Sequence, residues 1–203
     1  MKTPDGEETE EPSARTRLLD AARAEFFEHG YSAVTTDRLA QAARMSKATM
    51  YRHYPTKQSL FAAVLNRETQ RFAAGGPAHA SNRAEFLASL AIFGQNFLRL
   101  ITDPQVQRFG RTMLRYAETY PESAELFHAH ALRKTRRDLG AIIGEAAAKG
   151  FARTDMPPER LAGHLLSLWQ GVEHAAAQLG RTEEGGRDID TRVREGIEIL
   201  FPG

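Results

Sequence analysis

TTDRLAQAARMSKATMYRHYPTK, residues 35–57, reads as two short helices joined by a tight turn. Leu39, Ala40 and Ala43 recur at helical spacing on the first, 37–44, and Met50 and Tyr54 mark the inner side of the second, 47–53. A hydroxyl precedes each, Thr36 and Ser46, where a side-chain oxygen can accept from first-turn amides. The alanines are small enough for the two helices to cross closely. Pro55 interrupts and Thr56 caps again. A longer helix then carries Leu60, Phe61, Val64 and Leu65 to about Phe72. Short helix, turn, short helix is the layout of a helix-turn-helix. The residues at the start of its second helix, Lys47, Ala48 and Thr49, are those that such a motif presents to base edges.

Helical signals continue on both sides. Upstream, Leu18, Leu19, Ala22 and Phe26 form one apolar stripe over 14–29, closed by Gly30. Downstream, GGPAHAS at 75–81 is the clearest break in the chain. Asn82 with Glu85 predicts a capping box for a helix over 83–101. Asp103-Pro104 opens one that reaches Glu118, and Tyr120-Pro121 another that runs to Lys149 before Gly150. Pro157-Pro158 starts a helix through Leu161, Leu165, Leu168, Trp169 and Val172. A loop over 181–188 precedes a last helix with Ile189, Val193, Ile197 and Leu200. About nine helices and no alternating strand predict an all-α fold. Its expected parts are an acidic disordered tail over 1–12, a three-helix domain over 13–58, and a larger helical domain over 59–203.

The formal net charge of +1 hides an asymmetry. Residues 1–12 hold one Lys against five carboxylates, 13–72 hold ten Lys and Arg against five, and 73–203 hold sixteen of each. The positive excess therefore falls on the helix-turn-helix segment, as a polyanion-binding module on a neutral body requires. The chain has no cysteine, which removes disulfides, thiolate metal sites and thiol nucleophiles. The start, MKTPDGEETEEP, lacks the apolar stretch of a secretory signal, and no run of about eighteen uncharged apolar residues points to a membrane. A cytoplasmic protein is expected.

GYSAVTTDRLAQAARMSKATMYRHYPTKQSLFAAVL, residues 30–65, resembles the N-terminal domain of the TetR family of transcriptional regulators. The matching features are Gly30-Tyr31, Thr35-Thr36, Leu39-Ala40, Ser46-Lys47, Thr49, Tyr51, His53-Tyr54, Lys57, Leu60-Phe61 and Val64, in the family's order and spacing. One departure falls in the turn, where Arg44-Met45 replaces the usual glycine and valine. That glycine adopts positive φ, which strains an arginine.

The resemblance implies a DNA-binding set of Thr36, Ser46, Lys47, Ala48, Thr49, Tyr51, Arg52, His53 and Lys57. Thr36, Tyr51, His53 and Lys57 are assigned to phosphates, Lys47 and Arg52 to phosphate or a guanine edge, and Ala48 and Thr49 to base edges. Tyr54 and Met50 are assigned to the core.

Residues 115–155 are similar to the AcrR-like branch of the family, whose larger domain combines a ligand cavity with a dimer interface. The candidate lining is Phe93, Phe97, Leu100, Phe109, Met113, Tyr116, Phe127, Trp169 and Glu173. It suits an apolar or aromatic effector, and Glu173 is open to three places: against a cationic ligand, at the dimer seam or in solvent. By the same resemblance, Leu161, Leu165, Leu168, Val172, Val193, Ile197 and Leu200 are expected at a homodimer seam. Each also suits the chain's own core.

No cofactor is implied. His128 with His130, and His164 with His174, lack a second pair of ligands for a metal. No Gly-rich phosphate loop, Ser/His/Asp arrangement or working carboxylate pair argues for an enzyme. The expected function is a repressor that binds palindromic double-stranded operator DNA as a dimer and is released by a small molecule. An architectural DNA binder without a ligand, and a helical enzyme or lipid carrier, rank behind it.

Overall fold

The computed structural model describes residues 13–70, 79–181 and 188–202. Along them run α1 (Ala14–His29), α2 (Thr36–Ala42), α3 (Lys47–His53), α4 (Lys57–Gln70), α5 (Arg83–Thr102) and α6 (Pro104–Tyr116). Then follow α7 (Pro121–Phe127), a π-helical stretch (His128–Arg133), α8 (Lys134–Ala148), α9 (Pro158–Gln178) and α10 (Ile189–Leu200). The backbone stays helical from α7 through the π-helical stretch into α8, so the described residues form nine helical rods and no strand. The fold is all-α, as the periodicity predicts. The expected tail over 1–12, most of the break at 75–81 and most of the loop at 181–188 lie outside the described residues.

Local chemistry sets most of the boundaries. Ser46 Oγ accepts from the Thr49 amide at 3.1 Å, and Asn82 Oδ1 accepts from that of Glu85 at 2.9 Å while Glu85 Oε2 accepts from the Ser81 amide. Asp103 Oδ1 accepts from Gln105 and Val106, with Pro104 opening α6. Thr56 Oγ1 accepts from the Ser59 amide at 3.0 Å. The cap of α2 is Thr35 rather than Thr36. Thr35 is extended and accepts from the Arg38 amide, and Thr36 is the first helical residue. Two adjacent threonines are equal as caps in sequence, and only the backbone path separates them. α2 ends at Ala42 and α6 at Tyr116, each two residues short of the expectation.

Apolar side chains sort into two cores. The first joins Leu18, Phe26 and Phe27 of α1, Leu39 of α2 and Met50 of α3 to Leu60, Phe61 and Val64 of α4 and Phe109 and Met113 of α6. α4 and one face of α6 thus complete the core of the helix-turn-helix. Phe26 lies 5.1 Å from Phe61 edge to face, and Phe27 stacks on Phe109 at 4.5 Å. Each buried ring of this kind stabilises the fold by roughly 1.5–3 kcal/mol.

The second core gathers Phe86, Leu90, Phe93 and Phe97 of α5, Leu139 and Ile143 of α8, Leu161, Leu165 and Trp169 of α9, and Val193 and Ile197 of α10. α5 is long and apolar enough to cross a membrane by length and composition. Its apolar face is instead buried against these neighbours, which accounts for its hydropathy.

Candidate nucleic-acid interface

α2 is fixed to α1 through buried Leu39 and Ala40. The chain reverses over residues 43–46, where the Arg44 amide donates to Gln41 O and the Met45 amide to Ala40 O, both at 3.0 Å. Arg44 has φ +52, the single non-glycine with positive φ among the described residues. The backbone therefore makes the turn that the family's glycine makes, with an arginine in the left-handed region.

α3 is anchored by buried Met50 and Tyr54. The Tyr54 hydroxyl accepts from Arg15 Nε at 2.9 Å and ties α3 to α1. With that side inward, Ser46, Lys47, Ala48, Tyr51 and Arg52 are exposed, and Thr36, Thr49 and His53 are half-buried. Lys47 Nζ lies 2.7 Å from Asp37 Oδ1 across the two short helices. That hydrogen bond raises the Lys47 pKa above its ordinary value, so the ammonium stays charged in the neutral range. The Ser46 hydroxyl caps α3 and lies 3.0 Å from that of Thr49.

Lys57 has a different surrounding from the other eight. Its Nζ donates to Tyr31 O and Val34 O, both at 2.9 Å, and sits 4.2 Å from the centroid of the Tyr31 ring. Burial lowers its pKa and pushes that of Tyr31 up to about 12. Lys57 thus pins the loop after α1 to the start of α4. Sequence reasoning missed this role, as it missed Arg15 and Asp37, because an isolated charge on a helix gives no sign of its partner.

Residues 18–64 match the family model described as bacterial regulatory proteins, tetR family, and 88–201 match that of the AefR-like transcriptional repressor C-terminal domain. The chain belongs to the TetR family. The HTH-type transcriptional repressor ComR of Escherichia coli K12 is 40% identical over 192 residues, 92% of this chain and 90% of the relative. The repressor AcnR of Corynebacterium diphtheriae is 24% identical over 194 residues, 96% of each chain. Among solved structures, the flavonoid-responsive regulator FrrA superposes with a TM-score of 0.68 at 27% identity, covering 92% of this chain and 94% of that one. A TetR regulator from Agrobacterium tumefaciens superposes with a TM-score of 0.74 at 20% identity, covering 94% and 93%. This TetR-family chain is a transcriptional repressor with a DNA-binding helix-turn-helix, and its relatives are regulators rather than enzymes.

The nine candidate lining residues of this repressor are divided between the two cores. Phe109 and Met113 are buried in the first, with Phe127 packed against it. Phe93, Phe97 and Trp169 are buried in the second, with Leu100 against it. Tyr116 is exposed, and Glu173 is half-buried beyond a kink in α9. An open groove of about 420 Å³ lies elsewhere, where Ala147 and Ala148 of α8 face Met156, Pro157 and Pro158.

The dimer candidates divide as well. Leu161, Leu165, Val193 and Ile197 are buried within the single chain, and Leu200 packs on the same core. Leu168 and Val172 are exposed, together with Leu179 and Ile199. Helical spacing puts all of them on apolar faces, but only packing tells which face turns inward.

Proposed function

We propose that the chain acts as a cytoplasmic homodimer, that each α3 enters the major groove of one half of a palindromic operator, and that an apolar or aromatic effector releases it. The observation that carries this reading is the outward face of α3. Lys47, Ala48, Tyr51 and Arg52 are all exposed, while Met50 and Tyr54 hold the helix from behind. A rigid helix with cations and one aromatic hydroxyl on its free side suits phosphate and base-edge contacts. One such helix reads few base pairs, so a two-fold pair on a symmetric site is the natural assembly. Exposed Leu168, Val172, Leu179 and Ile199 on and beside the last two helices offer the apolar surface that a partner would cover. FrrA is flavonoid-responsive, which agrees with an aromatic effector for this relative.

The roles given to Thr36, Ser46, Thr49, His53 and Lys57 belong to the same proposal. Lys57 acts in it by holding the Tyr31–Val34 loop, with phosphate contact left to its neighbours.

The test is binding of the purified protein to its own upstream intergenic region over a range of salt, with Lys47→Ala and Tyr51→Ala alongside. Tight binding that weakens with salt is expected. Lys47→Ala should reduce the salt slope by about one unit, and both variants should bind more weakly. Equal binding by parent and variants, to that region and to sites selected from random sequence, would sink the reading.

A further inference from the structure

Residues 35–57 hold five Lys and Arg and a single carboxylate, Asp37. A carboxylate on a surface that approaches DNA repels the phosphates. Asp37 stands in the first turn of α2 with its side chain 77% exposed, and it accepts from Lys47 Nζ at 2.7 Å. Lys47 is the first residue of α3, the helix that enters the major groove in the docking above.

The other cations of the segment are placed differently. Arg38 is bound by Glu25 and His29 of α1, and Lys57 by the carbonyls of Tyr31 and Val34. Arg44 and Arg52 are exposed, with no side-chain partner among the described residues. The one carboxylate is thus given to the one lysine that opens the recognition helix. Stability does not account for this pairing. An exposed ion pair stabilises a fold little. An acid in the first turn suits the helix dipole, but Thr35 already caps α2, and neither role needs Lys47.

What the pair supplies is a donor held beside an acceptor. The ammonium has three N–H groups and gives one to Asp37, while the carboxylate keeps its other lone pairs. On the major-groove edge of a G·C pair, guanine O6 and the cytosine N4 amino group also stand side by side, with guanine N7 as a second acceptor next to O6. Adenine has its N6 amino group where guanine has O6, and so meets an ammonium with a donor.

We propose that Asp37 and Lys47 act as one reader of a G·C pair in each half of the operator, the ammonium donating to guanine and the carboxylate accepting from cytosine N4. This rests on the operator-binding reading above. Held by Asp37, Lys47 is kept from the phosphates, where it would bind every sequence alike. The carboxylate lowers affinity for DNA that lacks the matching pair, so the two residues discriminate by repulsion as well as by attraction. Exclusion of water from the interface strengthens both the ion pair and its hydrogen bonds to the bases.

The experiment selects sites for the full-length parent from random double-stranded DNA. It then measures Kd for every single base-pair change in the selected half-site, with the parent, Lys47→Ala and Asp37→Ala. In the parent, one G·C position should be preferred over A·T by at least about tenfold. Both variants should bring that preference below about threefold and leave the other positions as in the parent. Asp37→Ala should also bind unrelated DNA more tightly, with a salt slope steeper by about one unit, because the face has lost a negative charge. Lys47→Ala should change that slope in the opposite sense. Asp37→Ser, small and uncharged, repeats the panel should Asp37→Ala lose its helical circular dichroism. The proposal is overturned if Asp37→Ala keeps every preference of the parent, or weakens all sites alike as the loss of a helix-end charge would. It is equally overturned if the two variants relax different positions, or relax an A·T pair. A parent that selects no sequence sinks the operator reading and this pair together. A parent that selects one, with Asp37→Ala unchanged, sinks the pair alone.

Discussion

Arg44 shows how much a single residue can announce. Its place in the turn between α2 and α3 is where the family has glycine, and its φ of +52 confirms that the turn keeps the glycine conformation. A non-glycine residue there costs roughly 1–2 kcal/mol, against roughly 0.5–1 kcal/mol for the extra freedom that glycine loses on folding. Arg44→Gly is therefore expected to stabilise the chain by about 0.5–1 kcal/mol, a rise in Tm of about 1–4 °C for a protein of this size. Thermal unfolding followed by circular dichroism measures it, and an unchanged or lower Tm would mean that Arg44 makes contacts worth more than its strain. Other residues gave no such notice. Arg192 stands on an amphipathic helix among acidic neighbours and reads as a surface charge. It is buried only because α9 breaks at Gly171 and presents two carbonyls. Lys57 reads as a phosphate contact, yet its ammonium is turned to Tyr31 O and Val34 O.

At the scale of elements, caps and breakers made the helices legible. Ser46, Asn82 and Asp103 accept the amides that their spacing predicts. The π-helical stretch at His128–Arg133 left no trace in the sequence, since its residues suit an α-helix equally well. How the candidate lining aromatics divide was not legible for a related reason. Phe109 and Phe97 both sit on apolar stripes, but α6 and α5 turn them into different cores. What lets α5, α9 and α10 close around Trp169 is the absence of side chains. A Cβ on Gly94 would stand 2.8 Å from the indole on one side, and one on Gly196 would stand 2.8 Å from it on the other. Neither the ring nor its helix can yield easily, so Gly94→Ala and Gly196→Ala should each destabilise by about 1–3 kcal/mol. Denaturant unfolding would show this as a lower midpoint with the slope unchanged, and no loss in either variant would mean that the helices spread freely.

α10 also depends on its cap. The Asp188 carboxylate accepts from the backbone and side chain of Thr191, which holds its pKa below the usual carboxylate range. The folded state thus binds fewer protons than the unfolded state over that interval, and stability rises with pH across it. The contribution is complete above the ordinary carboxylate pKa and is lost as pH falls through the lowered one. Asp188→Ala should lower Tm at neutral pH, with the gap to the parent narrowing under acid. A gap independent of pH would show that the charge has no part in the cap.

For the whole molecule, α6 fills the first core and also touches α5 and α9 of the second, and the apolar side chains that the single chain leaves uncovered bear on the proposed assembly. Val172 is 68% exposed, Leu179 80% and Ile199 62%. These are large apolar side chains on or next to helices whose opposite faces fill the second core. Of the residues that the resemblance placed at a seam, Leu161, Leu165, Val193 and Ile197 are buried within the single chain, because an amphipathic helix with a second apolar face offers two candidates for one role. If the uncovered face joins two copies, charging it should separate them without unfolding either. Val172→Glu with Ile199→Glu is expected to sediment as a monomer, with helical circular dichroism and Tm close to the parent's, since neither side chain enters a core. Binding to a full symmetric operator should weaken by more than about tenfold, or about 1.4 kcal/mol, because each α3 then binds its half-site alone. Binding to an isolated half-site should stay as in the parent. A double variant that still sediments as a dimer would place the interface on another face and leave these residues exposed for a reason unrelated to self-association. One that turns monomeric yet binds the full operator as well as the parent would break the link between two-fold symmetry and recognition on which the operator proposal depends.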